Sequence, residues 1–374
     1  TRAGVQSMLL GSIVQIGGRI RLVSELLDVK QGSIIATQSA DGASYDDVFS
    51  MVDSVTEQVG KQIGGTTAKG VLRVTDVGTS SLEALNRYQQ GYDLILRWNW
   101  DEAEKFLQEA VEIDPTFAIA YAYLALAKIG GIMGVQDLYW DMTEARKNVE
   151  SAQEHAEKST EDERLIIRMI AALIDRDLAA AARFGQELLD RGIPERLAYY
   201  SLILNQWNRR DFQAAGRTVE RLLENDPTDA NGYNFLAYNH GFLGDYLASI
   251  SAIKKYMAIH PDVYNSHDGA WEMSMWAGQY DEAVRYADEA MRTHPEWISF
   301  DSLAGWTLIH KGDGEAARER FRRLERISSA RPAPVARYLG YSYLREGRHQ
   351  EAETELRRSL ALYQDSGQKW REGM

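Results

Sequence analysis

The chain of 374 residues contains no cysteine. That absence excludes disulfide bonds, catalysis by a thiolate and zinc sites built from cysteine, although it does not specify a cellular compartment. Long apolar stretches are also missing, because no run reaches the length of about 18 residues that a transmembrane helix needs. The sequence therefore predicts no segment that is inserted in a membrane.

Basic residues are outnumbered. The chain has 42 lysine and arginine residues against 55 aspartate and glutamate residues, which gives a net charge of −13. Affinity for nucleic acid depends on neutralising phosphates with basic side chains, so this balance argues against nucleic acid as a partner and against an anionic membrane surface. Residues 311–331 are rich in arginine, but glutamates interleave with the arginines, which indicates a solvated helix face.

Motifs of the common enzyme chemistries do not occur. Gly60 and Lys61 are followed by Gln62 rather than by the serine or threonine of a phosphate-binding loop. Neither the zinc motif HExxH nor the nucleophile motif GxSxG is present. His260 and His294 each precede a proline, which indicates a structural position at a helix end rather than a metal site. We therefore predict no catalytic residue, no cofactor, no metal and no enzymatic activity in this chain.

A regular period of about 34 residues dominates the second half of the chain. It separates the prolines Pro227, Pro261 and Pro295, and the glycines Gly244, Gly278 and Gly312. Such a period, with apolar residues at helical spacing and a proline closing each unit, is typical of the tetratricopeptide repeat, a pair of packed helices. We predict a mostly α-helical fold, an α-solenoid of about eight helix pairs with a capping helix, over residues 81–374. The phase of the third repeat is left open.

Residues 1–64 follow another pattern. Apolar, β-rich stretches at 9–16, 19–27 and 33–38 are separated by turn signals, and Gly17-Gly18 is a two-residue hairpin signal. Valines at helical spacing then indicate one amphipathic helix. We predict a small α+β domain over 1–64, an antiparallel meander with a helix across one side, and a linker over 65–80. Ser80 and Glu83 form a capping-box pattern that places the next helix start near Leu82.

Several strings in this region carry a resemblance to a known family. They are residues 10–14, the Gly17-Gly18 hairpin, residues 21–28, the turn at Gly32 and residues 46–49. Together they resemble part of a TolB-like domain, of the kind found ahead of repeat arrays in bacterial multidomain proteins. The resemblance implies that a Ser/Thr kinase, a nucleotide cyclase or a winged-helix regulator would precede this region, and any such activity would lie outside this chain.

The resemblance also bears on location. It favours the extracytoplasmic side of a membrane-anchored bacterial protein, with the cytoplasm as the alternative. The chain opens with Thr1 rather than methionine, so we expect a processed form or a region of a longer protein.

The first helix of each pair is expected to line a concave surface, as in other proteins of this repeat class. In the register set by the alanines of the second helices, the inward positions carry aromatic, amide and charged side chains. We predict that a protein or peptide partner contacts Tyr200, Trp207, Asn231, Asn234, Tyr238, Asn265, Trp276, Trp306, Arg337 and Tyr341. The same register directs Phe242, Asp268, Glu272, Ser302, His310 and Arg345 inward. Aromatic rings offer apolar contact and asparagines can hydrogen-bond a peptide backbone; the alternative for each single aromatic residue is a role in packing.

A second candidate for partner binding is an apolar loop over residues 130–141. Its candidate contacts are Met133, Tyr139 and Trp140. Long loops on a repeat scaffold can bind partners. The alternative is that this loop covers an exposed edge of the core, since aromatic side chains usually serve burial.

These patterns predict an interaction module: a scaffold or sensory part of a bacterial signalling protein that binds a protein or peptide in its concave groove. Two alternatives stay open. In a small-molecule sensor, an aromatic channel near Trp207, Tyr238 and Trp276 would close over a ligand. In a self-assembling protein, the loop at 130–141 or the C-terminal helix would form a homodimer.

Overall fold

The computed structural model describes residues 7–44, 47–62, 78–131, 142–327 and 332–365. In these ranges, three strands precede seventeen α-helices. The strands are β1 (Ser7–Ile16), β2 (Arg19–Asp28) and β3 (Ser33–Gly42). The helices are α1 (Val48–Gln62), α2 (Leu82–Leu96), α3 (Trp100–Ile113), α4 (Ala118–Lys128), α5 (Thr143–Glu154), α6 (Glu161–Ile174), α7 (Leu178–Asp190), α8 (Arg196–Asn208), α9 (Phe212–Asn225), α10 (Ala230–Phe242), α11 (Tyr246–Ile259), α12 (Tyr264–Trp276), α13 (Tyr280–Thr293), α14 (Ser299–Lys311), α15 (Gly314–Ile327), α16 (Pro332–Arg345) and α17 (His349–Asp365).

The chain divides into two compact units, residues 1–205 and residues 206–374, which we call the N-terminal and C-terminal units. In the N-terminal unit, α2 packs on α3, α4 on α5, and α6 on α7. In the C-terminal unit, α10 packs on α11, α12 on α13, α14 on α15, and α16 on α17. From α2 onward the described ranges hold sixteen α-helices, the number expected of eight successive pairs. The predicted fold, a mostly helical array of the tetratricopeptide type, is confirmed.

A three-stranded antiparallel sheet in the order β1-β2-β3 opens the N-terminal unit. Gly17 and Gly18 join β1 to β2 with φ angles of 57° and 84°, the left-handed conformations that a tight two-residue hairpin requires. Helix α1 packs against β2 and β3, and Ile20, Leu26 and Val55 are buried. The predicted meander with one helix is confirmed, while the domain boundaries at residues 64 and 80 stay predictions.

Small residues let the two helices of a pair approach each other. Ala103 and Ala110 of α3 are fully buried. A Cβ atom at Gly91 of α2 would lie 2.6 Å from Cγ of Leu107 on α3. Real Cβ atoms do not come that close to a carbon atom of a packed side chain, so this helix pair depends on glycine and alanine at its contact.

Turns in left-handed conformation end the first helices of the pairs. Gly244, Gly278 and Gly312 have φ angles of 80°, 69° and 91°, which favour glycine because it has no Cβ atom. Arg176 and Arg210 hold the equivalent position two repeats and one repeat before Gly244, and their φ angles are 60° and 59°. These two arginines therefore occupy the glycine position, and they define the phase that the sequence left open.

One local interpretation of the sequence needs correction. Helix α2 begins at Leu82 as expected, but its N-cap is Ser81, whose hydroxyl accepts a hydrogen bond from the Ala84 amide at 3.2 Å. The sequence pattern had assigned this cap to Ser80. A hydroxyl at the N-cap position can satisfy only the amides two or three residues ahead, so a shift of one residue changes which serine does it.

The arginine-rich helix α15 has the solvated face that its composition indicated, with Glu315, Glu319 and Arg322 exposed, but some of its other arginines pair with neighbouring elements. Arg323 Nε donates to Oδ2 of Asp301 at 2.7 Å, and Asp301 is fully buried on α14. Arg318 is only 6% exposed, and its guanidinium lies 3.0 Å from the Glu346 carboxylate. Buried charges need such partners, so these arginines join α15 to its neighbours. Across the described helices, none has both the length and the apolarity needed to cross a bilayer.

Candidate functional site

Four helices of the C-terminal unit, α10, α12, α14 and α16, carry most of the predicted partner contacts. Helix α10 contacts α12, and α14 contacts α16. Between α12 and α14, Trp271 Nε1 donates a hydrogen bond to Thr307 Oγ1 at 2.8 Å. The first helices of successive repeats therefore lie side by side.

Equivalent positions on these four helices are one repeat apart in sequence. The distance in sequence from α14 to α16 is longer than the others by a single residue. We call the surface that these positions form the A-helix face. Its three rows are Asn234, Asp268, Ser302 and Arg337; Tyr238, Glu272, Trp306 and Tyr341; and Phe242, Trp276, His310 and Arg345. Most of these side chains are half-buried or exposed, while Asn234 and Ser302 are buried.

Aromatic rings form a packed cluster at the α10 end of this face. The ring centroids of Trp207 and Phe242 are 5.1 Å apart, and those of Phe242 and Trp276 are 5.7 Å apart. Tyr238 meets Trp276 edge to face, at 5.8 Å and an interplanar angle of 84°, an arrangement that aromatic pairs prefer. The structure thus brings Trp207, Tyr238 and Trp276 together, but as rings packed on one another rather than as the walls of a closed channel.

Two carboxylates of α12 lie beside this cluster. Tyr238 Oη donates a hydrogen bond to Glu272 Oε2 at 2.5 Å. Burial, and then repulsion by Glu272, raise the pKa of Asp268 to about 6, since both effects disfavour the charged form of a carboxyl. Burial and the nearby Glu272 also raise the pKa of Tyr238. In the described part of the chain, no lysine or arginine pairs with either carboxylate.

The three asparagines that were predicted to meet a peptide backbone are placed differently. Asn231 and Asn234 are buried, at 0% and 4% exposure, and Asn265 is half-buried with its Nδ2 donating to Tyr256 Oη at 3.2 Å. Among the described residues, Asn234 Oδ1 has no hydrogen-bond partner. It points toward α12, 3.7 Å from the position that a Cβ atom would take at Gly269.

A second aromatic cluster joins α14 to α16. The ring of Trp306 lies 5.6 Å from that of Tyr338 and 5.7 Å from that of Tyr341, which is 37% exposed. The guanidinium of Arg337 lies 5.4 Å from the centroid of the Tyr338 ring. The buried Nε of Arg337 has no hydrogen-bond partner in the described ranges. No carboxylate among the described residues pairs with the Arg337 guanidinium at the α16 end of the face.

Tyr200 belongs to the N-terminal unit and is only 5% exposed. It lines a cavity of about 20 Å³, large enough for one water molecule, together with Tyr92, Tyr123 and Glu195. Tyr92 Oη donates to the Glu195 carboxylate at 3.1 Å, and burial raises the pKa of Glu195. Tyr200 therefore packs in the interior, which matches the alternative stated for single aromatic residues.

The predicted loop contacts Met133, Tyr139 and Trp140 lie outside the described residues. Within the described ranges, no group of three or more histidine, aspartate and glutamate side chains is arranged to hold a metal ion. His294 stacks on Trp297, with ring centroids 3.8 Å apart. Its ring thus serves local packing at the end of α13.

Known proteins share the fold of this chain but little of its sequence. No protein-family model and no curated protein sequence matches it. The structure of the human IFIT1 dimer with m7Gppp-AAAA is 13% identical with a TM-score of 0.52, and the match covers 82% of this chain and 76% of that one. At that identity, the match shows a common fold alone.

Two further solved structures have similar helices. A tetratricopeptide repeat protein from Parabacteroides merdae ATCC 43184 is 15% identical with a TM-score of 0.43, covering 70% of this chain and 99% of that one. MamA from Desulfovibrio magneticus RS-1 is also 15% identical, with a TM-score of 0.37, covering 45% of this chain and 94% of that one.

Proposed function

We propose that the chain is an interaction module that binds an extended segment of a protein partner across the A-helix face. The observation that carries this proposal is the set of charges on that face that have no ionic partner among the described residues, namely Asp268 and Glu272 on α12 and Arg337 on α16. Half-buried charges lower stability unless they are paired. A partner that supplies the missing opposite charges accounts for them, and the neighbouring rings supply the apolar contact typical of binding surfaces.

The wider role that we propose is scaffolding or sensing within a bacterial signalling protein. Support for this role comes from the resemblance of residues 1–64 to TolB-like domains. The binding proposal does not depend on that resemblance. The small-molecule alternative has less support, because Trp207, Tyr238 and Trp276 pack against one another and leave no space between them for a ligand.

Affinity capture tests the proposal. The wild-type chain is compared, as bait in a lysate of the source organism, with a variant that carries Trp306→Ala, Arg337→Gln and Tyr341→Ala. We expect a protein that the wild type retains to be lost by the variant, because contacts of this kind contribute most of the binding energy of an interface.

The matched control carries Tyr246→Ala and Leu247→Ala, two exposed positions of α11 that lie off the A-helix face. It should retain the same protein as the wild type. Circular dichroism establishes that each variant is folded. If the folded A-helix-face variant captures the same proteins as the wild type, the proposed binding surface is wrong.

A further inference from the structure

We propose that the part of the A-helix face formed by α12 binds an arginine side chain of the partner, held by the carboxylates of Asp268 and Glu272 beside the ring of Trp276. This inference rests on the proposed function and names the chemistry of one subsite. We call Asp268, Glu272 and Trp276, with Tyr238 and Asn234 from α10, the acidic subsite.

The acidic subsite carries negative charge. Asp268 and Glu272 are four residues apart on α12, so their carboxylates are neighbours on one helix face. The residues of α10 that line the subsite, Asn234 and Tyr238, carry no charge at neutral pH. Among the described residues, no lysine or arginine pairs with these two carboxylates. A cation that entered the subsite would balance their charge.

The acidic subsite also contains a hydrogen-bond acceptor that has no donor among the described residues. Asn234 Oδ1 is buried, has no hydrogen-bond partner among the described residues and faces α12 at Gly269, the residue next to Asp268. Leaving such an atom without a hydrogen-bond donor is destabilising. This acceptor is independent of the carboxylates. It indicates a ligand that brings N–H donors to the same place.

Among cationic groups, the guanidinium of arginine fits the acidic subsite best. A guanidinium has five N–H donors in one plane and stacks on aromatic rings, whereas an ammonium is a compact point charge. The acidic subsite offers several acceptors side by side, with the ring of Trp276 one turn beyond Glu272. The hydrogen bond from Tyr238 holds the Glu272 carboxylate in place before a ligand arrives. A metal ion fits less well, since the described residues supply no third ligand of the usual kind.

The test selects ligands without assuming a partner. Short random peptides displayed on phage are selected on the full wild-type chain, and the peptides obtained are synthesised and measured by titration calorimetry. We expect the selected peptides to share an arginine. Replacing that arginine with glutamine should weaken binding at least about ten-fold, as for other desolvated charge pairs, and replacing it with lysine should weaken binding less.

A double variant locates the effect. Asp268→Asn with Glu272→Gln should weaken the arginine peptide at least about ten-fold and leave the glutamine peptide unchanged, because the two changes then remove one and the same interaction. The matched control is Glu220→Gln with Glu224→Gln, two exposed carboxylates also four residues apart, on α9. It changes the net charge equally and should bind the arginine peptide as the wild type does.

The outcomes separate the two proposals. Selected peptides that lack arginine, or that bind the double variant as tightly as the wild type, would overturn the acidic subsite while supporting peptide binding. If no peptide is enriched, both proposals fail. Free L-arginine that binds the wild type as tightly as the peptides do, and is lost with the double variant, would show that the subsite takes a small molecule and would overturn the peptide as its source.

Discussion

The carboxyl of Asp268 lowers the free energy of unfolding and, in the proposal made above, contributes to binding of the partner. Its carboxyl is withdrawn from water and repelled by Glu272, so that its pKa rises to about 6. An aspartate in the unfolded chain titrates near pH 4. Between these two values the folded protein holds a proton that the unfolded chain has released, so the free energy of unfolding falls as pH rises and levels off above about pH 6.

We predict that Asp268→Asn makes the protein more stable at pH 8, because asparagine keeps the shape of the carboxyl without its charge. The gain should be up to about 3 kcal/mol, the equivalent of the pKa difference. It should shrink as pH falls and approach zero well below pH 4, where the wild-type carboxyl is protonated in both states. Urea unfolding at several pH values measures both.

Asp93→Asn is the control for this measurement, since Asp93 is exposed on α2. Its effect on the free energy of unfolding should stay within about 0.5 kcal/mol and should not depend on pH. If the free energy of unfolding of the Asp268 variant depends on pH as that of the wild type does, the pKa of the Asp268 carboxyl is not raised in the folded protein. Greater stability combined with weaker peptide binding is the combination expected of a binding residue.

At the scale of the helix, the repeat depends on one left-handed residue that ends the first helix of a pair. Glycine holds that position at 244, 278 and 312, while Arg176 and Arg210 hold it in two earlier repeats. A side chain in this conformation brings its Cβ close to the following carbonyl, which costs about 1–2 kcal/mol. The repeats with glycine at this position avoid this cost, whereas the repeats with Arg176 and Arg210 do not.

We predict opposite effects for two exchanges at this position. Arg210→Gly should raise the free energy of unfolding by about 0.5–1 kcal/mol, because the relief of strain exceeds the added freedom of the unfolded chain. Gly278→Ala should lower it by about 1 kcal/mol, because nothing crowds the site but the backbone angle excludes a Cβ. Thermal and urea unfolding of both variants give the signs. Two changes of the same sign would contradict this account.

At the scale of the whole molecule, the sheet of the N-terminal unit carries the longest run of exposed large apolar side chains among the described residues. Helix α1 packs against β2 and β3, and β1 pairs with β2 on one side. Five large apolar side chains of β1 are between 44% and 56% exposed, namely Met8, Leu9, Leu10, Ile13 and Val14. An edge strand of this length and composition tends to pair with another chain.

We predict that the protein self-associates through β1. Sedimentation velocity should show an average mass that rises with concentration in the micromolar range. The pair Leu9→Lys and Ile13→Lys, which adds charge to one face of β1, should leave a monomer, whereas Leu247→Lys on α11 should not. A wild type that stays monomeric throughout would refute the prediction. This route differs from the loop at 130–141 and the C-terminal helix, which the sequence favoured.

The repeat could be predicted from the sequence alone. Pro261, Gly278 and Ala283 act through local backbone geometry and the close contact of two adjacent helices, so their spacing is enough to predict helix pairs and their number. The hairpin at Gly17 and Gly18 is local in the same sense. The left-handed conformation of Arg176 and Arg210 could not be predicted, because an arginine gives no local sign of it. The packing of the surrounding helices imposes this conformation.

Which inward positions are available to a partner depends on how the helices pack, and spacing along the chain does not predict it. Spacing placed Asn234, Tyr238 and Asp268 on comparable faces, yet the packing of α10 against α12 buries the first and leaves the other two half-buried. Whether a charge is balanced depends on the side chains that a neighbouring helix brings beside it. That helix lies a whole repeat away in sequence. The carboxylates of α12 and the guanidinium of Arg337 on α16, which have no ionic partner in the described ranges, can therefore be identified only once the helices are packed.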